Sequence, residues 1–379
     1  MARLLTGLSL GYFLVMLDTT IVTVALPAIS PSLPAQQWIS NGYTLTFAAF
    51  LLPAGACSDR FGAHRVFSLG LLAFAALSGL SALSFSTPML IALRALLGVA
   101  GALLVPSSLS LIAAAHPVPA ARAKAMGVWA AVSGTGLVAG PLLGGLLTEA
   151  FGWRAIFLVN VPVAVVAWVL ARQAPATPVR VGRMLPARLF RDRAVPLGLV
   201  AGAIVNFGLS GVLFVLSLYF QETRGYPPSM TGLAFLPLTI PTAFNPIFTG
   251  RLVARVGPRI PAVSGFLLMS GGVLLQACST SAALSVVALA LLGFGVSLAI
   301  PSLLTVVVAA APPDLTGIAG GALNASRQAG AALGVAVLGA VLTATTAPVA
   351  LAAAAGVLLA GAATVASIPA ERVRPARQR

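Results

Sequence analysis

Three charged side chains lie inside long apolar stretches of this sequence: Asp18, Arg94 and Arg327. A charge at the centre of a bilayer costs about 2.5–3.5 kcal/mol on insertion scales, so each needs a partner or a task. A carboxylate among apolar residues can bind and release a proton. Burial opposes its charged form and a nearby cation favours that form, so a site alternating between such surroundings loads and unloads a proton. Asp18 is the one acid placed this way among the 7 Asp and Glu residues. Arg94 is the cation expected to modulate it. Arg327, with Asn324 and Gln328 nearby, is a third candidate. Each has a plainer reading as well. Asp18 could hold the first span by a structural hydrogen bond, Arg94 could snorkel to the interface, and Arg327 could pack a helix together with Asn324 and Gln328.

The elements that must position these residues follow from composition. Of 379 residues, 59% are hydrophobic and 8% are charged. A soluble chain carries about 25% charged residues, so a water-facing surface is excluded. The net charge of +15 does not describe a nucleic-acid surface, because the basic residues fall in short clusters between apolar runs. A bilayer core needs roughly 20 apolar residues per helix. Twelve runs fit: 4–26, 38–57, 66–84, 88–111, 126–147, 155–171, 196–219, 232–249, 260–278, 283–309, 317–343 and 347–368. They are continuous rather than alternating, which argues against strands. The expected fold is therefore an all-α integral membrane protein of twelve helices.

The Arg and Lys residues set the orientation. With twelve spans, 18 of the 22 fall on the side of both termini, two (Arg154 and Arg224) on the other, and two inside spans. Both termini are expected in the cytoplasm, in the plasma (inner) membrane. The expected domains are a six-helix bundle at 1–171, a basic linker at 172–195, a second bundle at 196–368 and a basic tail at 369–379. The linker suits anionic lipid headgroups. Depth follows at 1.5 Å per residue. Asp18 lies roughly 21 Å up span one and Arg94 roughly 9 Å down span four, which is nearly the same level in a core of about 30 Å.

The halves repeat at a constant offset. Gly62 corresponds to Gly257, Leu96-Leu97-Gly98 to Leu291-Leu292-Gly293, and Pro106-Ser107 to Pro301-Ser302, each 195 residues on. Duplicated helical units of this kind hold their site near the midplane, between the repeats. Asp18, Asp59 and Arg94 have no charged counterpart in the second half, so proton chemistry is expected in the first.

Two glycine-rich motifs read as moving parts. Gly136, Gly140, Pro141, Gly144 and Gly145 give span five a smooth face with a pliable point, suited to close packing against another helix. Gly55, Asp59, Arg60, Gly62 and Arg65 form a tight cytoplasmic turn. There Asp59 could pair with Arg60, Arg65 or a helix end as a latch, or the turn could simply be solvated. Gly7-Leu-Ser9-Leu-Gly11 matches a hydrolase motif formally, but it lies in a membrane helix, while His64 and His116 lie in loops. No nucleotide-binding loop is present. Cys57 and Cys278 make no disulfide framework or metal pattern. An enzyme, a cofactor and a metal are not expected.

These residues resemble the major facilitator superfamily. Gly55 to Arg65 resembles its loop motif after the second helix. Leu90 to Gly98 resembles its fourth-helix motif, and Gly136 to Gly145 the fifth-helix motif of its drug:proton antiporters. Leu17-Asp18-Thr19-Thr20 through Pro27, Trp153-Arg154 through Asn160 and Pro162, and Asn324 with Arg327-Gln328 are similar to the multidrug exporter group that usually has fourteen helices. Here 172–195 is too short and polar for two more. The resemblance implies two pseudo-symmetric bundles and proton-coupled export of small hydrophobic or cationic compounds by a monomer. Phe13, Met16, Trp129, Asn206, Phe207, Phe214, Asn324 and Arg327 are expected to line the substrate cavity. Import of a small metabolite on the same fold is an alternative, and a non-transporting sensor or intramembrane enzyme another.

Overall fold

The computed structural model describes residues 2–175, 187–312 and 315–368. The expected linker therefore lies partly, and the expected basic tail wholly, outside the described residues. The described chain is helical, without strands. Its first helices are α1 (Ala2–Ile29), α2 (Leu33–Phe61), α3 (Ala63–Ala82), α4 (Thr87–Ala115) and α5 (Pro119–Phe151). The sixth span comes as α6 (Ala155–Leu158) and α7 (Asn160–Ala171). Then follow α8 (Ala194–Leu218), which continues as a π-helical turn over Tyr219–Thr223, α9 (Pro228–Ala234), α10 (Leu236–Phe244) and α11 (Pro246–Val256). The last four are α12 (Arg259–Cys278), α13 (Ala282–Ala310), α14 (Thr316–Ala344) and α15 (Ala347–Ala366).

Among the described residues, nine helices are long and apolar enough to cross a membrane. The other three expected spans differ for local reasons. Helix α2 is long enough, but Gln36, Gln37, Ser40 and Asn41 dilute its apolar character. The sixth span is interrupted at Val159. Pro162 has no N–H for the Leu158 carbonyl, so α6 ends there. The eighth span breaks at Phe235 and Asn245, where Pro237 and Pro246 each remove a helical donor.

The chain divides into two compact units. One holds Met1–Met184 with Phe220–Leu233, the other Leu185–Tyr219 with Ala234–Arg379. Each unit is wired alike. In the first, α1 packs on α5 and α7, α4 on α2 and α3, and α3 on α7. In the second, α8 packs on α14 and α15, α13 on α10 and α12, and α12 on α15.

The offset of 195 extends to atomic contacts. Gly98 abuts the Tyr43 carbonyl, and Gly293 abuts the Leu238 carbonyl. A side chain on Gly70 would meet the Ala100 carbonyl at 3.4 Å, and one on Gly265 would meet the Gly295 carbonyl at 2.6 Å. Gly62 and Gly257 cap α2 and α11 at φ of 89° and 78°, the left-handed region where a Cβ is strained. The same backbone path is thus drawn twice by one repeat.

Candidate functional site

Asp18 of α1 and Arg94 of α4 meet, as the depth arithmetic expects. They are 0% and 1% exposed. Arg94 Nη1 forms an ion pair with Asp18 Oδ2. Arg94 Nε donates to the Ile39 carbonyl of α2 at 3.2 Å. The guanidinium lies over the Tyr43 ring, 4.5 Å from its centre, a favourable cation–π distance. The Tyr43 hydroxyl reaches back to the Val15 carbonyl at 3.5 Å. The second carboxylate oxygen, Asp18 Oδ1, accepts from Asn160 Nδ2 of α7 at 3.1 Å. That nitrogen also donates to Ser78 Oγ of α3 at 3.2 Å, and Ser78 Oγ donates to the Phe157 carbonyl at 2.8 Å. One buried carboxylate is therefore held by polar groups from α2, α3, α4 and α7, directly or through one intermediary.

Breaking a buried pair from one side costs about 3–5 kcal/mol, because the other charge stays buried. Arg94→Leu is expected to lower thermal stability in detergent by that order at neutral pH. The double variant Asp18→Asn/Arg94→Leu recovers most of the loss, which a double-mutant cycle of melting curves measures.

The fifth-helix glycines carry α1. A side chain on Gly136 would meet the Phe13 carbonyl at 2.7 Å, and one on Gly144 the Ile21 carbonyl at 2.5 Å. Gly140 abuts the Thr20 side chain. Asp18 sits between these contact levels on α1, so the glycine face sets its position. Pro141 and Gly145 face elsewhere. Gly145 abuts the Pro228 carbonyl and Gly232 abuts the Pro141 carbonyl. Segment Phe220–Leu233 thus belongs to the first unit by packing. It is tied there by Gln221 Nε2 donating to the Val24 carbonyl at 2.9 Å and the Ser229 N–H donating to Glu149 Oε2 at 3.1 Å.

The expected loop from Gly55 to Arg65 is a single residue: Gly55, Asp59 and Arg60 lie in the last turns of α2, Arg65 lies in the first turn of α3, and only Gly62 between them is non-helical. Gly55 and Asp59 are half-buried, while Arg60 and Arg65 are exposed. Arg60 lies over the neighbouring Phe61 ring at 5.4 Å.

In the second unit, Arg327 Nε donates to Asn206 Oδ1 at 3.2 Å, which joins α14 to α8. Asn324, one turn away on α14, is half-buried, as are Arg327 and Phe207. Phe13, Met16 and Trp129 are half-buried too. Trp129 stacks on Tyr12 at 4.5 Å, and its Nε1 is buried without a hydrogen-bond partner. Phe214 departs from the expectation of a cavity-lining residue. It is 1% exposed and belongs to an unbroken run of buried residues from Gly211 to Leu218, so α8 is buried all round there.

Sequence reasoning missed Asn160, Ser78 and Tyr43 as partners of this pair. The depth arithmetic could have found Asn160. It lies five residues into the sixth span, against six for Arg94 in the fourth, and both spans start on the same side.

A buried acid–cation pair inside helical units wired twice alike is the architecture of a multi-pass membrane carrier. The family description Major Facilitator Superfamily matches residues 8–335. The chain belongs to this superfamily. Multidrug resistance protein Stp of Mycobacterium tuberculosis is 32% identical, over 90% of this chain and 75% of that protein. The tetracenomycin C resistance and export protein of Streptomyces glaucescens is 31% identical, over 88% of this chain and 74% of that one. Among solved structures, a bacterial homolog of the human lysosomal transporter Spinster, inward-facing and occupied, aligns with a TM-score of 0.80 over 99% of both chains. At 18% identity that likeness shows the fold.

Proposed function

We propose that the chain is a proton-coupled exporter of small hydrophobic or cationic compounds, antibiotics and other natural products among them, working by alternating access. The observation that carries this reading is Asp18. Among the described residues it is the one acid deep in a span, and it is fully buried with both oxygens hydrogen-bonded. Besides balancing the Arg94 charge, an ionisable side chain there has the capacity to exchange a proton. The resistance and export proteins that align along most of the chain point to the same cargo class. Apart from Asn206, Asn324 and Arg327, the expected lining positions are apolar or aromatic, which suits a hydrophobic cargo. The bias of basic residues supports cytoplasmic termini in the plasma membrane, and nothing in the reading requires more than a monomer.

Everted membrane vesicles test it. Respiration acidifies their lumen. Addition of a panel of aromatic antibiotics and lipophilic cations such as ethidium is expected to raise luminal pH as cargo enters and protons leave. Cargo uptake with no proton movement would overturn the coupling.

A further inference from the structure

The Asn160 amide is used on one side only. Its Nδ2 donates to Asp18 Oδ1 at 3.1 Å and to Ser78 Oγ at 3.2 Å, which engages both N–H bonds. Its Oδ1 is buried with no hydrogen-bond partner, on a side chain 0% exposed. A buried acceptor left unmade is costly, so its retention beside an ionisable group calls for a reason. Among the described residues, the charged and titratable groups around Asp18 are Arg94 of α4 and Tyr43 of α2, with Tyr12 lower on α1 itself. Helix α5 presents glycines, α7 presents Asn160, and α3 presents Ser78.

We propose that Asn160 reads the protonation state of Asp18 and relays it, through Ser78, to the break in the sixth span. The inference rests on Asp18 being the proton carrier. With Asp18 ionised, the chain of donors runs one way. Asn160 N–H donates to the carboxylate and to Ser78, and the Ser78 hydroxyl donates to the Phe157 carbonyl at 2.8 Å. When Oδ1 of Asp18 takes a proton, that oxygen becomes a donor and opposes the N–H it faced. A half-turn of the amide brings Asn160 Oδ1 round to accept the new O–H and carries Nδ2 to the side where Oδ1 had stood unpartnered. The Ser78 hydroxyl then faces the same oxygen, turns to donate to it, and leaves the Phe157 carbonyl. The proton gained stays on Asp18, and no other covalent bond changes. Phe157 adjoins Leu158, whose carbonyl already lacks a helical donor because of Pro162. The Phe157 carbonyl keeps the Val159 N–H but loses its tie to α3, which loosens the joint between α6 and α7 at Val159.

Purified protein in lipid nanodiscs allows the test. Infrared difference spectra between alkaline and acid buffer follow the C=O stretch of protonated Asp18, assigned by its absence in Asp18→Asn. Proteoliposomes give transport rates. Asn160→Leu is expected to shift that stretch to higher frequency, since the protonated carboxyl loses its acceptor. Ser78→Ala is expected to leave the stretch near the wild-type frequency but slow transport about tenfold, with rescue by Ser78→Thr. A wild-type stretch in Asn160→Leu, or a wild-type rate in Ser78→Ala, overturns the relay. Should Asn160→Leu not fold, Ser78→Ala carries the test alone. Proton-coupled transport by Asp18→Asn overturns the carrier reading itself, a separate failure.

Discussion

Cells producing Asp18→Asn at wild-type levels are expected to be as drug-sensitive as cells without the protein. The argument is energetic. One charge crossing 100 mV supplies about 2.3 kcal/mol, enough to hold a roughly fifty-fold concentration ratio of a neutral cargo per proton. An exporter without its proton carrier has no access to that energy and can only equilibrate its cargo. Asparagine keeps the shape of the side chain and can still hydrogen-bond Arg94 and Asn160, which holds α1, although Arg94 loses its counter-charge at a cost of about 3–5 kcal/mol. What it cannot do is exchange a proton. The measurements are minimum inhibitory concentration and pH-driven uptake into everted vesicles, with insertion checked by immunoblot. Downhill, gradient-independent exchange should survive, which separates loss of coupling from loss of folding.

Gly144→Val should abolish export by a different route. A Cβ at position 144 would lie 2.5 Å from the Ile21 carbonyl, and the neighbouring Ile21 side chain is no farther than 3.2 Å. The obstacle is backbone, so a side-chain rotation does not relieve it, and α1 has to move. Overpacking of this kind costs about 1–3 kcal/mol. Here it also shifts the helix that holds Asp18 against a partner fixed on α4. Gly127, on the same helix, has nothing within 4 Å of the equivalent atom. Gly127→Val is therefore expected to melt and transport much as wild type does. Loss of export with a melting shift in Gly144→Val, and neither in Gly127→Val, identifies the glycine face as a packing surface. Equal behaviour of the two would contradict it.

Much of this architecture was legible in the sequence because membrane helices obey simple arithmetic. A fixed rise per residue put Asp18 and Arg94 at one level before any contact was known. The 195-residue offset was legible because glycines that accept a neighbouring backbone cannot be replaced freely. It returned as matched contacts at Gly98 and Gly293. The helix breaks were less legible. Pro27, Pro53, Pro106, Pro141 and Pro301 lie inside unbroken helices, whereas Pro162, Pro237 and Pro246 accompany interruptions. One proline removes one hydrogen bond, and packing decides whether the helix tolerates it. Asn160 and Ser78 carry no charge that would mark them as partners of Asp18. Neutral polar residues are common in membrane helices, and only the three-dimensional meeting of α1, α3 and α7 singles these two out. Phe214 shows the converse: an aromatic side chain in a span carries no label for which face it occupies.

The central claim is that Asp18 exchanges the proton that drives export. The most direct measurement is substrate-triggered proton flux in proteoliposomes that hold purified protein and a pH-sensitive dye in the lumen. Wild-type protein, given a transported compound across an imposed gradient, is expected to move protons opposite to the cargo, and Asp18→Asn to move none while still binding that compound. Proton flux through Asp18→Asn at the wild-type rate would contradict the account.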